Sequence, residues 1–316
     1  MPKYIRPTGC MSAISLETGK RRWLSPVDII TLLFCGWILI YILIGHERVL
    51  DFGLHFASYL SIFTAVLLSA VLERWWEGQE GWFYTVFRLL RALYPVLLFG
   101  YFYSSNYAFN RVLIPQWQDP FFMKLDQAIF GYLPSMEWGV RHSHWAISEL
   151  FHGAYFCYYP MIAGLPLYLY LKDRKAFMEL IFVLTFSFYI FYLMYSILPT
   201  IGGRYLPEAH ELTKVYRAGP FTHIMAFIYN QSQHWGGAFP SSHVGITIVL
   251  TIAGLRFTRR MGYVFVVISF FLSLSIAYCH YHWFIDAVGG IIVGIAAYYL
   301  GLWVYQKMLP VEAHQQ

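Results

Sequence analysis

The stretch HWFIDAVGGIIVGIAAYYLGLWVY (282–305) places one imidazole and one carboxylate at the mouth of a run that carries no further charge. Its apolar part matches the about 20 residues a helix needs to cross a bilayer. His282 and Asp286 stand four apart, and positions i and i+4 share one face of a helix. Asp286 can therefore orient the His282 ring and leave its second nitrogen free to react. Upstream, FPSSH (239–243) opens another apolar run in the same manner.

Working outward, the chain of 316 residues is 58% hydrophobic and 20% aromatic but only 12% charged, where a soluble domain averages about 25% charged residues. This excludes an ordinary soluble domain and predicts an all-α, polytopic membrane helical bundle. Apolar runs at 29–45, 52–72, 89–107, 146–171, 176–199, 241–255, 261–279 and 283–305 give about eight spans. The fourth, with Glu149, His152 and two prolines, and the short sixth depart furthest from an ideal span. No internal repeat, low-complexity tract or soluble domain interrupts them. The chain divides into an N-terminal segment with two accessory spans (1–88), a six-span core (89–306) and a tail (307–316).

Charge sets the expected orientation. Lys3, Arg6, Lys20, Arg21 and Arg22 precede the first run, which lacks a small-residue cleavage site and does not read as a removable signal. The connectors with Lys172, Arg174 and Lys175, and with Arg256, Arg259 and Arg260, fall on the same side by parity. The positive-inside rule makes that side cytoplasmic. The net charge of +5 is thereby explained by topology, with no nucleic-acid partner implied. Cys10, Cys35, Cys157 and Cys279 lack the spacing of a zinc site or disulfide framework.

Parity also brings the two polar mouths together. The sixth span leaves the extracytoplasmic face at Ser241, the seventh returns to it near Cys279, and the eighth leaves again at Trp283. Residues between Arg204 and His243 can thus line one pocket with His280, His282 and Asp286. Pro240 suits a helix start and Ser241 or Ser242 its cap; helix-start amides attract anions. Arg204 in PTIGGRY (199–205) offers a planar fork of donors to a phosphate, with Lys214 and Arg217 as further cations in the loop.

Each feature has an ordinary reading too. Pro-Ser-Ser is a common capping sequence, and an aspartate in a first turn is favoured by the helix dipole. Their conjunction favours a site, because an ionisable group at membrane depth costs about 2.5 to 3.5 kcal/mol on insertion scales. His280 and His282 resemble a metal pair, but positions i and i+2 of a helix point apart. No metal or other cofactor is called for. His142, His144, His210, His223 and His234 read as solvated or hydrogen-bonding, and Trp75, Trp76, Trp82, Trp117, Trp138, Trp145 and Trp235 as interfacial anchors.

Pro240, Ser241, Ser242 and His243, followed by His282 and Asp286, resemble the second and third motifs of the superfamily of type 2 phosphatidic acid phosphatases and vanadium haloperoxidases. Arg204 best matches the first motif, with Lys214 or Arg217 as rivals. Ser242 replaces the usual glycine, as in the inositol phosphorylceramide synthase branch, and Ile276 stands where the third motif has arginine. His280 is a candidate substitute donor. QDPFFMKLDQAIFG (118–131) and SELFHGAYFCYYPMI (148–162) also resemble the region before the core in that branch.

The resemblance implies a lipid phosphatase or phosphotransferase acting on a lipid-linked phosphate. His282 is the implied nucleophile, Asp286 its orienter and His243 the acid on the leaving oxygen. It implies no metal or cofactor. Phospho-head-group transfer to a lipid hydroxyl is the alternative outcome. A transporter using the polar cluster as a substrate or ion site is the alternative of another class, disfavoured because transporter sites usually sit near the midplane. Oligomeric state is left open.

Overall fold

The computed structural model describes residues 23–76, 78–79, 81–206, 219–231 and 235–309. Helices dominate because an apolar chain must satisfy its backbone within each segment. In chain order the α-helices are α1 (Pro26–Ile44), α2 (Phe52–Trp75), α3 (Trp82–Ser105), α4 (Asp119–Phe130), α5 (Pro134–Arg141), α6 (Trp145–Phe156), α7 (Tyr158–Lys172), α8 (Arg174–Ile197), α9 (Pro220–Gln231), α10 (Ser242–Phe257), α11 (Arg259–Tyr278) and α12 (Phe284–Met308). The expected polytopic helical bundle is what forms. Among the described residues, α1, α2, α3, α8, α11 and α12 are long and apolar enough to cross a membrane.

The two irregular spans differ from expectation for local reasons. The fourth is divided between α6 and α7 at Cys157. Pro160 lies in the first turn of α7, and without an N–H it cannot bond the Phe156 carbonyl and continue the preceding helix. The sixth is the 16-residue α10, shorter than the other spans. Both long connectors also contain helices, α4 and α5 in the first and α9 in the second.

α8 is the hub, packing against α1, α3, α7, α10 and α12. Its Phe182, Phe191 and Tyr195 are fully buried. The accessory helices lock onto it through aromatic and polar contacts. Phe34 stacks on Tyr189 with ring centroids 4.3 Å apart, the Tyr41 hydroxyl donates to the Ser196 carbonyl at 2.7 Å, and Asn106 Nδ2 donates to the Tyr192 carbonyl at 3.0 Å.

α10 crosses α12 with backbones in near contact. A Cβ at Gly294 would lie 2.5 Å from the Gly245 carbonyl oxygen. Small residues permit this closeness in membrane helices, and it draws together the two helix starts that carry His243 and His282.

Candidate active site

Four segments meet at one end of the bundle: the loop after α8, the start of α10, the turn between α11 and α12, and the connector helix α4. A β-bridge joins Thr200 to Gly237, and the Ala238 N–H donates to the Thr200 carbonyl at 2.9 Å. The Ser241 N–H donates to the Asp286 carbonyl at 3.0 Å. Thus the FPSSH segment touches the arginine loop on one side and the start of α12 on the other.

His282 lies in the turn before α12 rather than on its face. Its relation to Asp286 is made by the helix cap, not by helical spacing. Asp286 Oδ2 accepts the Trp283 N–H at 3.0 Å and lies 3.3 Å from His282 Nδ1. The Ala238 carbonyl oxygen is 3.0 Å from the same nitrogen. Both neighbours of Nδ1 are acceptors, so Nδ1 carries the proton and the Nε2 of a neutral ring keeps its lone pair. Asp286 is wholly buried and His282 nearly so. The His243 and His282 ring centroids are 6.3 Å apart at 64°.

His243 sits between tyrosines, its centroid 4.7 Å from Tyr155 and 4.4 Å from Tyr158. The Tyr155 ring also meets Tyr229 and Tyr281. Arg204 joins this wall. Its guanidinium lies 4.0 Å from the centre of the Tyr229 ring and donates to the Tyr229 carbonyl at 2.6 Å. The loop carrying Arg204 presses on the His282 turn at Gly202, whose φ of 77° suits glycine. A Cβ there would meet the Tyr281 carbonyl at 2.7 Å.

The helix-start amides are less open to an anion than their sequence suggests. In α10 the Ser242 N–H donates to the Tyr195 hydroxyl at 3.0 Å, and the Val244 N–H to Ser241 Oγ at 3.4 Å. Ser241 is the N-cap, and the side chains of Ser241 and Ser242 are buried. In α12, Asp126 takes the Phe284 and Ile285 N–H groups at 2.7 and 2.9 Å. Burial raises the Asp126 carboxyl above its ordinary value, and these two amide bonds oppose that rise.

His280 adopts a left-handed backbone conformation, with φ 60°, and its Nδ1 donates to the Ser135 carbonyl at the start of α5. Burial holds its imidazole below the ordinary value of 6.5, opposed by the Ser135 bond. Its Nδ1 is committed to α5 while the His282 Nδ1 is committed to Ala238, so the two rings are held by different elements. Among the described residues no three His, Cys, Asp or Glu side chains form a metal-holding group. Lys214 and Arg217 lie outside the described residues.

The residues missed by the sequence reading are carboxylates and tyrosines. Asp119 accepts the Ile201 and Gly202 N–H groups at 3.0 and 2.8 Å, and the Trp283 indole N–H at 2.8 Å. Glu149, on α6, accepts the Phe221 and Thr222 N–H groups at 2.8 and 3.0 Å, anchoring the α9 that carries Tyr229. A usable signal existed for one pair. Asp119 and Asp126 stand seven apart in a largely apolar helix, so both face the same side.

Two histidines, a buried carboxylate and an arginine thus gather at one end of a bundle of long apolar helices, the class of an integral membrane protein with a polar site at its helix ends. Residues 121–300 match the PAP2 superfamily, more than half of the chain, and the protein belongs to that superfamily. Membership supports a function of the phosphatase or phosphotransferase type. No curated protein and no solved structure matches the chain.

Proposed function

We propose that the protein is an integral membrane lipid phosphatase or phosphotransferase working through a phosphohistidine at His282. The observation that carries this reading is the tautomer. With Nδ1–H directed at Ala238 and Asp286, neutral His282 presents Nε2 as a nucleophile. Reacting atoms align at about 3 to 3.5 Å, and the 6.3 Å between ring centroids suits one phosphoryl group between His282 and His243.

In the first step the Nε2 lone pair attacks phosphorus, a P–N bond forms, and the P–O bond to the leaving lipid oxygen breaks. His243 gives its proton to that oxygen, while Asp286 offsets the positive charge on His282. In the second step His243 removes a proton from water or an alcohol, whose oxygen attacks phosphorus. The P–N bond breaks and neutral His282 returns. Arg204 balances phosphate charge by positioned electrostatics, the main resource in phosphoryl transfer. A site at the mouths of membrane helices fits a lipid whose tail stays in the bilayer, and the charge pattern puts that mouth on the extracytoplasmic face, with the termini cytoplasmic.

The region 89–306 is the proposed catalytic core, with 1–88 as accessory. The narrower reading, transfer of a phospho-head group to a lipid hydroxyl as in inositol phosphorylceramide synthases, is favoured by Ser242 in place of glycine. Purified protein in detergent, given phosphatidic acid with and without alcohol or ceramide acceptors, separates hydrolysis from transfer. His282→Ala is expected to lower either turnover at least about a thousandfold. Acid-labile phosphate should be trapped on the wild type but not on the variant. Unchanged turnover in His282→Ala sinks the mechanism. For sidedness, a tag at Gln316 that labels only from outside intact cells would reverse the proposed orientation.

A further inference from the structure

The connector helix α4 turns Asp119, Phe122 and Asp126 inward. Its two carboxylates stand about 10 Å apart along the axis, at 1.5 Å per residue, and each meets backbone amides of the catalytic loops. They do different things. Asp126 binds only the start of α12, through Phe284 and Ile285. Asp119 binds both loops at once: Oδ2 takes the Ile201 N–H, and Oδ1 takes the Gly202 N–H and the Trp283 indole.

Trp283 completes the link. Its indole N–H goes to Asp119 and its backbone N–H to Asp286 Oδ2 at 3.0 Å. One residue therefore ties the carboxylate that fixes the arginine loop to the carboxylate that orients His282. Asp119 is 5% exposed, and its three donors here are uncharged N–H groups. A carboxylate is acceptor-only when ionised, so it can take all three donors together. An amide side chain cannot replace the carboxylate, because its NH2 would face one of those donors.

We propose that Asp119 is a positioning residue for phosphoryl transfer: it sets the placement of Arg204 relative to His282 by holding both loops on one carboxylate. The inference rests on the reading of His282 as nucleophile and Arg204 as phosphate ligand. Its distinctive consequence is coupling. A residue that acts by placing Arg204 loses most of its influence once that side chain is gone.

The test is a double-mutant cycle read by steady-state kinetics on phosphatidic acid in detergent, with His282→Ala in parallel. Asp119→Asn is expected to lower kcat/KM about a hundredfold, raising KM as well as lowering kcat. In an Arg204→Ala background the same change is expected to cost no more than about tenfold, since coupled sites depart from additivity and only its hold on the His282 turn remains. Asp126→Asn, which releases only the His282 side, should lower kcat with KM nearly unchanged. If Asp119→Asn does not fold, Trp283→Phe breaks the same link at the indole and is read through the same cycle with Arg204→Ala. Equal losses in both backgrounds, or wild-type kinetics in the single variant, overturn the proposal. Retained turnover in His282→Ala overturns instead the reading on which it rests.

Discussion

Two buried polar clusters lie in different parts of this bundle and are built differently. The first joins the accessory helices α1 and α2 to α3: the Arg91 guanidinium grips Asp28 with two bonds of 2.8 and 2.7 Å, Tyr94 adds a hydroxyl at 2.9 Å, and Glu73 lies 3.2 Å from Nε. Every Asp28 oxygen has a donor. The second is Asp286 with His282, where Oδ2 takes both contacts and Oδ1 has no hydrogen-bond partner among the described residues. A closed ion pair has no capacity left, whereas the carboxylate beside His282 keeps one oxygen unused, as the proposed mechanism requires of a group that must offset a developing charge. Burial alone does not mark a site; incomplete satisfaction beside the proposed nucleophile is what sets Asp286 apart from Asp28.

That contrast can be broken most severely at Asp286. Asp286→Asn should keep the fold but lower kcat about a thousandfold or more, because an amide can stabilise the wrong tautomer and cannot offset an imidazolium; kcat and thermal unfolding measured together check this. Arg91→Ala should do the reverse. Removing one partner of a buried pair costs about 3 to 5 kcal/mol, so chemical or thermal unfolding in detergent should show a large loss, with kcat of the folded fraction near wild type. A strong kcat defect in Arg91→Ala would erase the distinction between the clusters.

The smallest effect concerns His280. Its folded-state imidazole lies below the ordinary 6.5, so the unfolded chain takes up its proton first as pH falls. Its contribution to stability is complete above about 6.5 and declines below that value. Thermal unfolding should therefore fall between pH 7.5 and 5.5 in the wild type, and less in His280→Gln. An equal pH dependence in the two proteins would remove His280 from the account.

Much of this was legible in the sequence because bilayer crossing imposes length and apolarity on helices, and because parity forces the mouths at Ser241 and Trp283 toward one face. The break at Cys157 was less legible, since a proline in a first turn is compatible with either a kink or a helix start. The pairing of His282 with Asp286 was read correctly as a neighbour relation but for the wrong geometric reason, as it is the cap of α12 that joins them. The roles of Asp119, Asp126 and Glu149 were hidden, since their partners are backbone amides and one indole about 70 to 165 residues away in the chain. No side-chain pattern announces an amide waiting elsewhere. The aromatic wall around His243 was hidden for a related reason: tyrosines on α6, α7 and α9 look like membrane packing until those helices are placed together.

The distribution of the site along the chain also bears on biogenesis. Asp119, Arg204, His243 and His282 emerge from synthesis in that order, and the clamp helix is made before either loop it holds. A nascent chain therefore carries Arg204 and His243, the proposed phosphate ligand and proton donor, well before His282, the proposed nucleophile. α12, made after each of these partners, delivers His282 and Asp286 to them. On the proposed mechanism, a chain that has not yet reached α12 lacks its nucleophile and turns nothing over.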